Sequence, residues 1–175
     1  YTPGADEKSR YQRTPDGALI TTRDNGGAAA YYSGIVPLGP QQQETIDRSV
    51  QLDPTLIDVK AANPLIAQVY LNTKDSYNRI YPYFEVKGQY PAKMDIPSFN
   101  FYYEADGKHN PARKPVWTDA YLDPAGQGWM VSSIAPVWQG DTLQAVVGID
   151  ITLKTVVDEL LALDQPWGAY VMLVE

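Results

Sequence analysis

The feature that most restricts the fold is a pair of strand patterns joined by a tight connection in the second half of the chain. Apolar and small residues alternate through "GWMVSSIAPVW" (128–138), and a second apolar run, "LQAVVGIDI" (143–151), follows the connection "QGD". Alternation with a period of two is typical of a strand with one buried face, and Gly140 supplies the positive φ that a short hairpin loop needs. These segments predict an antiparallel β-hairpin.

Helical patterns lie on both sides of this hairpin. Residues 40–63 predict one or two helices, with Pro40 in the first turn and Asp53-Pro54 as an N-cap and first helical residue where the helix restarts. After the hairpin, Thr152 is a suitable N-cap for an amphipathic helix. The apolar residues of that helix recur at helical spacing: Leu153, Val156, Val157, Leu160 and Leu161.

The remaining patterns complete an α+β prediction. Strands are expected near residues 17–23 and 64–72, the second apolar enough for a buried central strand, whereas residues 75–86 are predicted to be an aromatic loop. Long helices precede a meandering antiparallel sheet, which defines the α+β class. The expected organisation is a flexible lead-in over residues 1–16, one module over 17–163, and a final strand over 164–175. That strand either closes the same sheet or, as favoured here, starts a second, truncated module.

Composition narrows the possible functions. The 175 residues fit one domain, and the net charge of −7 with a pI near 4.6 argues against binding nucleic acid or an anionic membrane surface. The absence of cysteine excludes a disulfide framework and a thiolate zinc site. No phosphate-binding glycine loop or paired-histidine metal motif is present, so no cofactor and no metal are expected. The chain begins at Tyr1 without Met, which favours an excised piece of a longer protein.

An enzymatic reading has weak support. The one histidine, His109, lies in the polar loop "ADGKHNPARK", where solvation is far more common than catalysis. Asp119 and Asp123 are four residues apart, which suggests a hydrolase with one of them as the base. The intervening "AYL" favours an extended segment, however, in which the two carboxylates need not converge.

Binding has better support because aromatic and acidic residues occur together. Three of the four tryptophans lie in residues 115–138, and residues 98–106 read "SFNFYYEAD". Trp129 and Trp138 are assigned to core or hairpin packing. Asp150 lies in an otherwise apolar strand, where an unpaired carboxylate costs several kcal/mol. It is either a capping or loop-anchoring residue for the next helix, or an anion held in a pocket for a cationic ligand.

These residues also carry a family resemblance. The segment "VWTDAYLDPAGQGWMVSSIAPVW", followed by "QAVVGIDITL" and the amphipathic helix, resembles the extracytoplasmic double-Cache (PDC-like) sensor domains of bacterial histidine kinases, chemoreceptors and diguanylate cyclases. The resemblance extends over roughly residues 15–175. It implies a PAS-like antiparallel sheet flanked by helices, a small-molecule pocket, and the membrane-distal module of a truncated double-Cache domain.

The resemblance also implies a ligand site. In amino-acid-sensing members, an Arg-x-Trp-Tyr segment binds the ligand carboxylate and downstream acidic residues bind its ammonium group. The matching segment here is "FNFYYEA", in which Phe99 stands at the arginine position. Further along the chain, Asp150 matches the ammonium-binding aspartate. The match can slip by one residue around Tyr102 and Tyr103. The expected ligand-binding residues are Phe101, Tyr102, Tyr103, Glu104, Trp117, Tyr121, Asp123 and Asp150.

The missing arginine suggests a ligand without a carboxylate. Aromatic faces and carboxylates attract cations, so the predicted ligand is a small cationic amine or quaternary ammonium compound. Arg113 and Lys114 are candidates for a replacement anion site, which keeps an amino-acid or organic-acid sensor as an alternative. A Cache-like interaction domain without a ligand is a third reading. The expected setting is the periplasmic part of a membrane-anchored receptor, with a homodimer formed through an N-terminal helix that this chain lacks.

Overall fold

The computed structural model describes residues 3–162, which form an antiparallel sheet with helices packed on it. The predicted α+β class is confirmed. In sheet order the strands run β1-β2-β3-β5-β4-β9-β8-β6, and β7 also pairs with β8. The nine strands are β1 (Tyr11–Arg13), β2 (Leu19–Thr21), β3 (Ala29–Tyr32), β4 (Gln68–Thr73), β5 (Tyr77–Tyr81), β6 (Val116–Trp117), β7 (Tyr121–Leu122), β8 (Trp129–Gln139) and β9 (Thr142–Thr152). The helices are α1 (Ala5–Ser9), α2 (Pro40–Ser49), α3 (Asp53–Ala62), α4 (Asn100–Tyr103) and α5 (Leu153–Ala162), with 3-10 turns at Val50–Leu52 and Ile96–Ser98.

The predicted hairpin is the longest strand pair of the sheet. Strands β8 and β9 each have 11 residues and are joined at Gly140, whose φ is +60°. Their register pairs Ser132 with Asp150 and Ile134 with Gly148. The hairpin therefore places Asp150 in the interior of the sheet, with β4 as its other neighbour.

Different parts of the chain pack on the two faces of the sheet. On one face, α2 and α3 pack through side chains such as Ile46 and Leu56. On the other face, Tyr70 and Ile80 pack under the segment that runs from β5 to β7 and contains α4. The alternation of strand side chains thus assigns every second residue of β4, β5 and β9 to this second face.

The N-terminal lead-in was predicted wrongly, because residues 5–13 form α1 and β1. Arg79 is fully buried and donates through Nε and Nη2 to the two carboxylate oxygens of Asp53, both at 2.6 Å. It also donates to the Tyr11 hydroxyl at 2.9 Å, and Glu7 accepts from buried Arg10 at 3.0 Å. Polar residues that are buried through ion pairs leave no apolar pattern, so local sequence patterns do not predict their burial.

Among the other local predictions, the cap at Thr152 is confirmed, whereas those for residues 77–81 and Asp53 are wrong. Residues 77–81 form β5 rather than a loop, because Tyr77 packs under α2 while Arg79 is neutralised by its ion pairs. Asp53 begins α3 but binds Arg79 instead of capping the helix. Thr152 does cap α5, since its hydroxyl accepts the backbone N–H of Thr155 at 3.0 Å. The predicted final strand over 164–175 lies outside the described residues.

Candidate functional site

A cleft lies between the second face of the sheet and the segment that covers it. The space between its atoms is about 290 Å³, including the part open to solvent. The part of this space that the centre of a water-sized sphere can reach is only about 20 Å³, so side chains nearly fill the cleft in this structure. The lining residues are Tyr70, Asn72, Asn78, Ile80, Tyr90, Met94, Ile96, Phe101, Tyr121, Asp123, Pro124 and Asp150.

Asp150 forms the acidic end of the cleft. Its side chain is only 2% exposed, and its Oδ1 accepts the Ser132 hydroxyl at 2.5 Å and the Tyr121 hydroxyl at 3.3 Å. Burial, reinforced by the nearby carboxylate of Asp123 and opposed by these hydrogen bonds, raises the pKa of Asp150 to about 8. Asp150 is thus a buried acid held by hydroxyl groups, with no cationic side chain bonded to it among the described residues.

Asp123 lies at the same end of the cleft, and its carboxylate also stabilises a turn. Its two carboxylate oxygens accept the backbone N–H groups of Ala125 and Gln127, each at 3.0 Å. These bonds close the turn that connects β7 to β8. Burial raises the pKa of Asp123, although the two N–H donors oppose the rise. Asp123 therefore adds negative potential to the cleft while it holds the turn.

Tyr70 forms the middle of the cleft floor and depends on a glycine. It pairs with Gly148 of the neighbouring strand, and a Cβ at position 148 would overlap the Tyr70 ring. The Tyr70 side chain is buried, and its hydroxyl has no hydrogen-bond partner by distance and angle among residues 3–162. Phe101 packs edge-on against this ring at 6.3 Å and also contacts Tyr121 at 5.1 Å between ring centroids.

Asn72 and Asn78 form the other end of the cleft floor. They are direct partners in the pairing of β4 with β5, and the Asn78 amide donates to Asn72 Oδ1 at 2.8 Å. Both are buried, and Met94 and Ile96 line the cleft on the covering side. The cleft therefore joins a carboxylate end to an amide end across an aromatic and apolar middle.

The family model described as "Methyl-accepting chemotaxis protein-like, first PDC sensor domain" matches residues 41–158. The chain belongs to this family.

The chain is similar to solved ligand-binding domains of bacterial chemoreceptors. The ligand-binding domain of the Pseudomonas aeruginosa PAO1 chemoreceptor PctB, in complex with L-Arg, has 23% identity and a TM-score of 0.50, with 73% of this chain and 47% of that chain covered. The same domain with L-Gln has 24% identity and a TM-score of 0.49, covering 72% and 45%. The CtaA domain of Pseudomonas fluorescens with L-valine has 23% identity and a TM-score of 0.45, covering 59% and 43%.

These coverages mean that the chain spans less than half the length of each of these three solved domains. No curated protein matches the chain. Within residues 3–162, no helix has the length and apolar character needed to cross a membrane. The same residues contain no group of three or more histidine, aspartate or glutamate side chains placed to hold a metal ion.

The PDC module brings four of the eight predicted site residues together. They come from three different elements of the chain, and the fold alone makes them neighbours. The four that line the cleft are Phe101, Tyr121, Asp123 and Asp150. Asp150 is buried and bonded to a tyrosine, as its apolar neighbours predicted.

The other four predicted residues do not line the cleft. Residues 100–103 are helical, so successive side chains point about 100° apart and only Phe101 faces the cleft. Tyr102 packs into the neighbouring core, and Tyr103 contacts the ring of His109 at the surface. Glu104 accepts the backbone N–H of Asp119 at 3.3 Å. Trp117 is 58% exposed on the short outer strand β6.

The proposed replacement anion site is also not in the cleft. Arg113 donates to the carbonyl of Gly140 at 3.0 Å and to Asp141 at 2.8 Å, and it stacks over the ring of Trp138. It therefore holds the tip of the hairpin. Lys114 is exposed, and its carbonyl accepts the Asn110 amide. Trp129, predicted to pack in the core or on the hairpin, begins hairpin strand β8 opposite Leu122 and is 58% exposed, so it is not a core residue.

Sequence reasoning missed most of the cleft floor. Tyr70 and Asn72 were assigned to an apolar central strand, although their period-two spacing with Gln68 was a visible sign of a polar face. Asn78 and Ile80 were missed because their strand was taken as a loop. Tyr90, Met94 and Ile96 have no local pattern, and only the fold brings them to the cleft.

Proposed function

We propose that this PDC module is the extracytoplasmic ligand-binding part of a transmembrane chemoreceptor-type sensor, and that its cleft binds a small amino compound, an amino acid foremost. The observation that carries the proposal is buried Asp150 at the end of an aromatic-lined cleft. An ammonium group at this position offsets the burial of the carboxylate, which hydroxyl donors alone do only in part.

Two observations support an amino acid. PctB, which shares the fold, was solved with L-Arg. The buried Tyr70 hydroxyl, which lies near Ser132, Tyr121 and Asp150, is also a donor available to the ligand carboxylate. The ammonium group then lies toward Asp150 and the carboxylate toward Tyr70.

The second candidate is a cationic amine without a carboxylate. No arginine, lysine or histidine lines the cleft among the described residues, and Phe99 occupies the position where the resemblance places an arginine. The two candidates share the ammonium contact at Asp150. They differ in whether a carboxylate on the ligand raises or lowers affinity.

A matched set of compounds tests the proposal. Amino acids are first screened for those that raise the Tm of the module. Each one that does so is then compared by calorimetry with its decarboxylated amine and its deaminated acid. Because ligand at 100 times Kd adds about 2.7 kcal/mol of stability, a true ligand gives a clear shift. We expect the amino acid to bind, the amine to bind more weakly, and the acid to give no heat. Tighter binding of the amine would favour the second candidate, and tight binding of the acid would overturn both.

Paired variants identify the site. Asp150→Asn keeps the shape of the side chain but removes its charge, and we expect at least a 30-fold loss of affinity. Asp119→Asn makes the same change on an exposed residue and should leave Kd unchanged. The module has no proposed catalytic step, so ligand recovered after incubation should be chemically intact. Membrane anchoring and a homodimer remain predictions for the full-length receptor.

A further inference from the structure

The amide end of the cleft contains two buried polar side chains whose hydrogen bonding is incomplete. Asn72 is 2% exposed and Asn78 is 3% exposed. Their mutual bond uses the Nδ2 of Asn78 and the Oδ1 of Asn72. Asn78 Oδ1 is buried and has no partner within residues 3–162. The bond between the two amides uses the oxygen of Asn72 and leaves its Nδ2 available to donate.

The pair therefore presents one free oxygen and one free amino group to the cleft. This result does not depend on which way the amides are drawn. If both were turned over, Asn72 would donate to Asn78, and one oxygen and one amino group would again remain free. Since buried polar atoms in native proteins are nearly always paired, the unpaired oxygen points to a ligand group that donates to it, and the neighbouring amino group can donate to an acceptor on the same ligand group.

The chemistry of the free atoms selects that group. A carboxylate only accepts hydrogen bonds and would oppose the free oxygen of Asn78. An ammonium group only donates and would oppose the free amino group of Asn72. A primary carboxamide donates through nitrogen and accepts through oxygen, so two ligand atoms match two protein atoms.

The position of the pair separates this group from the ligand ammonium. Asn72 lies opposite Val146 in the register of β4 with β9, four residues from Asp150. Four residues of strand span roughly 13 Å, and Tyr70 and Ile80 line the cleft between the two ends. A single functional group cannot contact both ends, so the ligand is elongated.

We propose that Asn72 and Asn78 bind the end of the ligand remote from its ammonium group, and that they select amino compounds that carry a primary carboxamide there. This inference rests on the proposed function, because it takes the ammonium end to lie at Asp150.

Isosteric pairs test the selection directly. L-glutamine and L-glutamate differ only in the terminal amide, as do 4-aminobutanamide and 4-aminobutanoate. We expect calorimetry to show that each carboxamide binds at least about 10-fold more tightly than its carboxylate counterpart, since the carboxylate leaves Asn78 Oδ1 unpaired. Equal affinities within both pairs would overturn the inference.

A change of selectivity separates recognition from mere stability. Asn72→Asp keeps the oxygen that accepts from Asn78 and replaces the free amino group by an acceptor. We expect this variant to lose its preference for the carboxamide and to bind L-ornithine, whose distal ammonium donates to both oxygens, at least about 10-fold more tightly than wild type does. Asn63→Asp, an exposed Asn-to-Asp change at the end of α3, should keep the wild-type preference. An unchanged preference in folded Asn72→Asp would also overturn the inference.

Failure of the inference is distinguishable from failure of the proposed function. One outcome is that Asp150→Asn loses binding while wild type binds the carboxamide and the carboxylate of each pair equally well. That outcome would overturn only the role of Asn72 and Asn78. If no compound of either pair binds to wild type, the proposed function and this inference both fail.

Discussion

At the scale of single residues, Asp150 links stability to pH. Its pKa is about 8 in the folded module against an ordinary value of 3.8, so between these values the folded state holds a proton that the unfolded state has released. The contribution of Asp150 to the stability of the ligand-free module is therefore greatest near or below pH 4. It falls as pH rises toward 8, by about 1.4 kcal/mol for each unit.

Asp150→Asn removes this dependence. We expect the variant to be more stable than wild type at pH 7 to 8, by a few kcal/mol, because the amide carries no charge to desolvate. Urea denaturation at pH 5 and pH 8 measures the effect, with Asp119→Asn as the control on an exposed residue. If Asp150→Asn were less stable than wild type at pH 8, burial of the Asp150 carboxylate would not carry the free-energy cost argued here.

The same residue makes ligand affinity depend on pH. A ligand ammonium group requires the charged form of Asp150, so binding below pH 8 releases a proton. Affinity should rise up to tenfold per pH unit between pH 6 and 8, a range over which the ligand ammonium stays protonated. Calorimetry in buffers with different ionisation enthalpies detects the proton. Asp150→Asn should show neither the proton nor the slope.

At the scale of structural elements, strand β9 shapes the cleft through a missing side chain. Gly148 lets the Tyr70 ring lie against the β9 backbone, and Gly148→Ala would place a methyl group in that ring. We expect a loss of about 1–3 kcal/mol and weaker ligand binding as the ring moves into the cleft. The matched control is Gly107→Ala, whose new Cβ would meet its nearest neighbour, Trp138, at an ordinary 3.5 Å. Thermal unfolding and calorimetry of both variants decide the matter.

Elements were predictable where their signal is local. The β8–β9 hairpin and the capped helix α5 follow from alternation, a turn glycine and a cap, all within a few residues. Strand β5 was not predictable in this way. Arg79 at its centre is compatible with burial only because Asp53 and Tyr11 come from distant parts of the sequence. Local patterns do not carry that information.

The site follows the same rule. Asp150 was identified because a carboxylate in an apolar strand is locally unusual. Tyr102, Tyr103 and Glu104 were misplaced because an aromatic run looks alike in a strand and a helix, and the helix turns only Phe101 toward the cleft.

At the scale of the whole molecule, one ion-pair network joins the N-terminal segment, α3 and the centre of the sheet. Asp53 accepts two hydrogen bonds from fully buried Arg79, which also contacts Glu7 at 3.3 Å. Asp53→Ala leaves Arg79 without its bidentate partner, and we expect a loss of about 3–5 kcal/mol. Asp58→Ala, on the exposed side of the same helix, should cost little. A loss below about 1 kcal/mol in urea denaturation of Asp53→Ala would show that the network contributes little.

The placement of the aromatic residues has an optical consequence. Trp117, Trp129 and Trp138 all lie outside the cleft, whereas Tyr70, Tyr90 and Tyr121 line it. Ligand entry therefore changes the surroundings of tyrosine rings and leaves those three indoles in their own environments. The fluorescence of these three indoles is therefore poorly suited to detect binding at this cleft, and near-ultraviolet difference spectra in the tyrosine bands are the more direct signal.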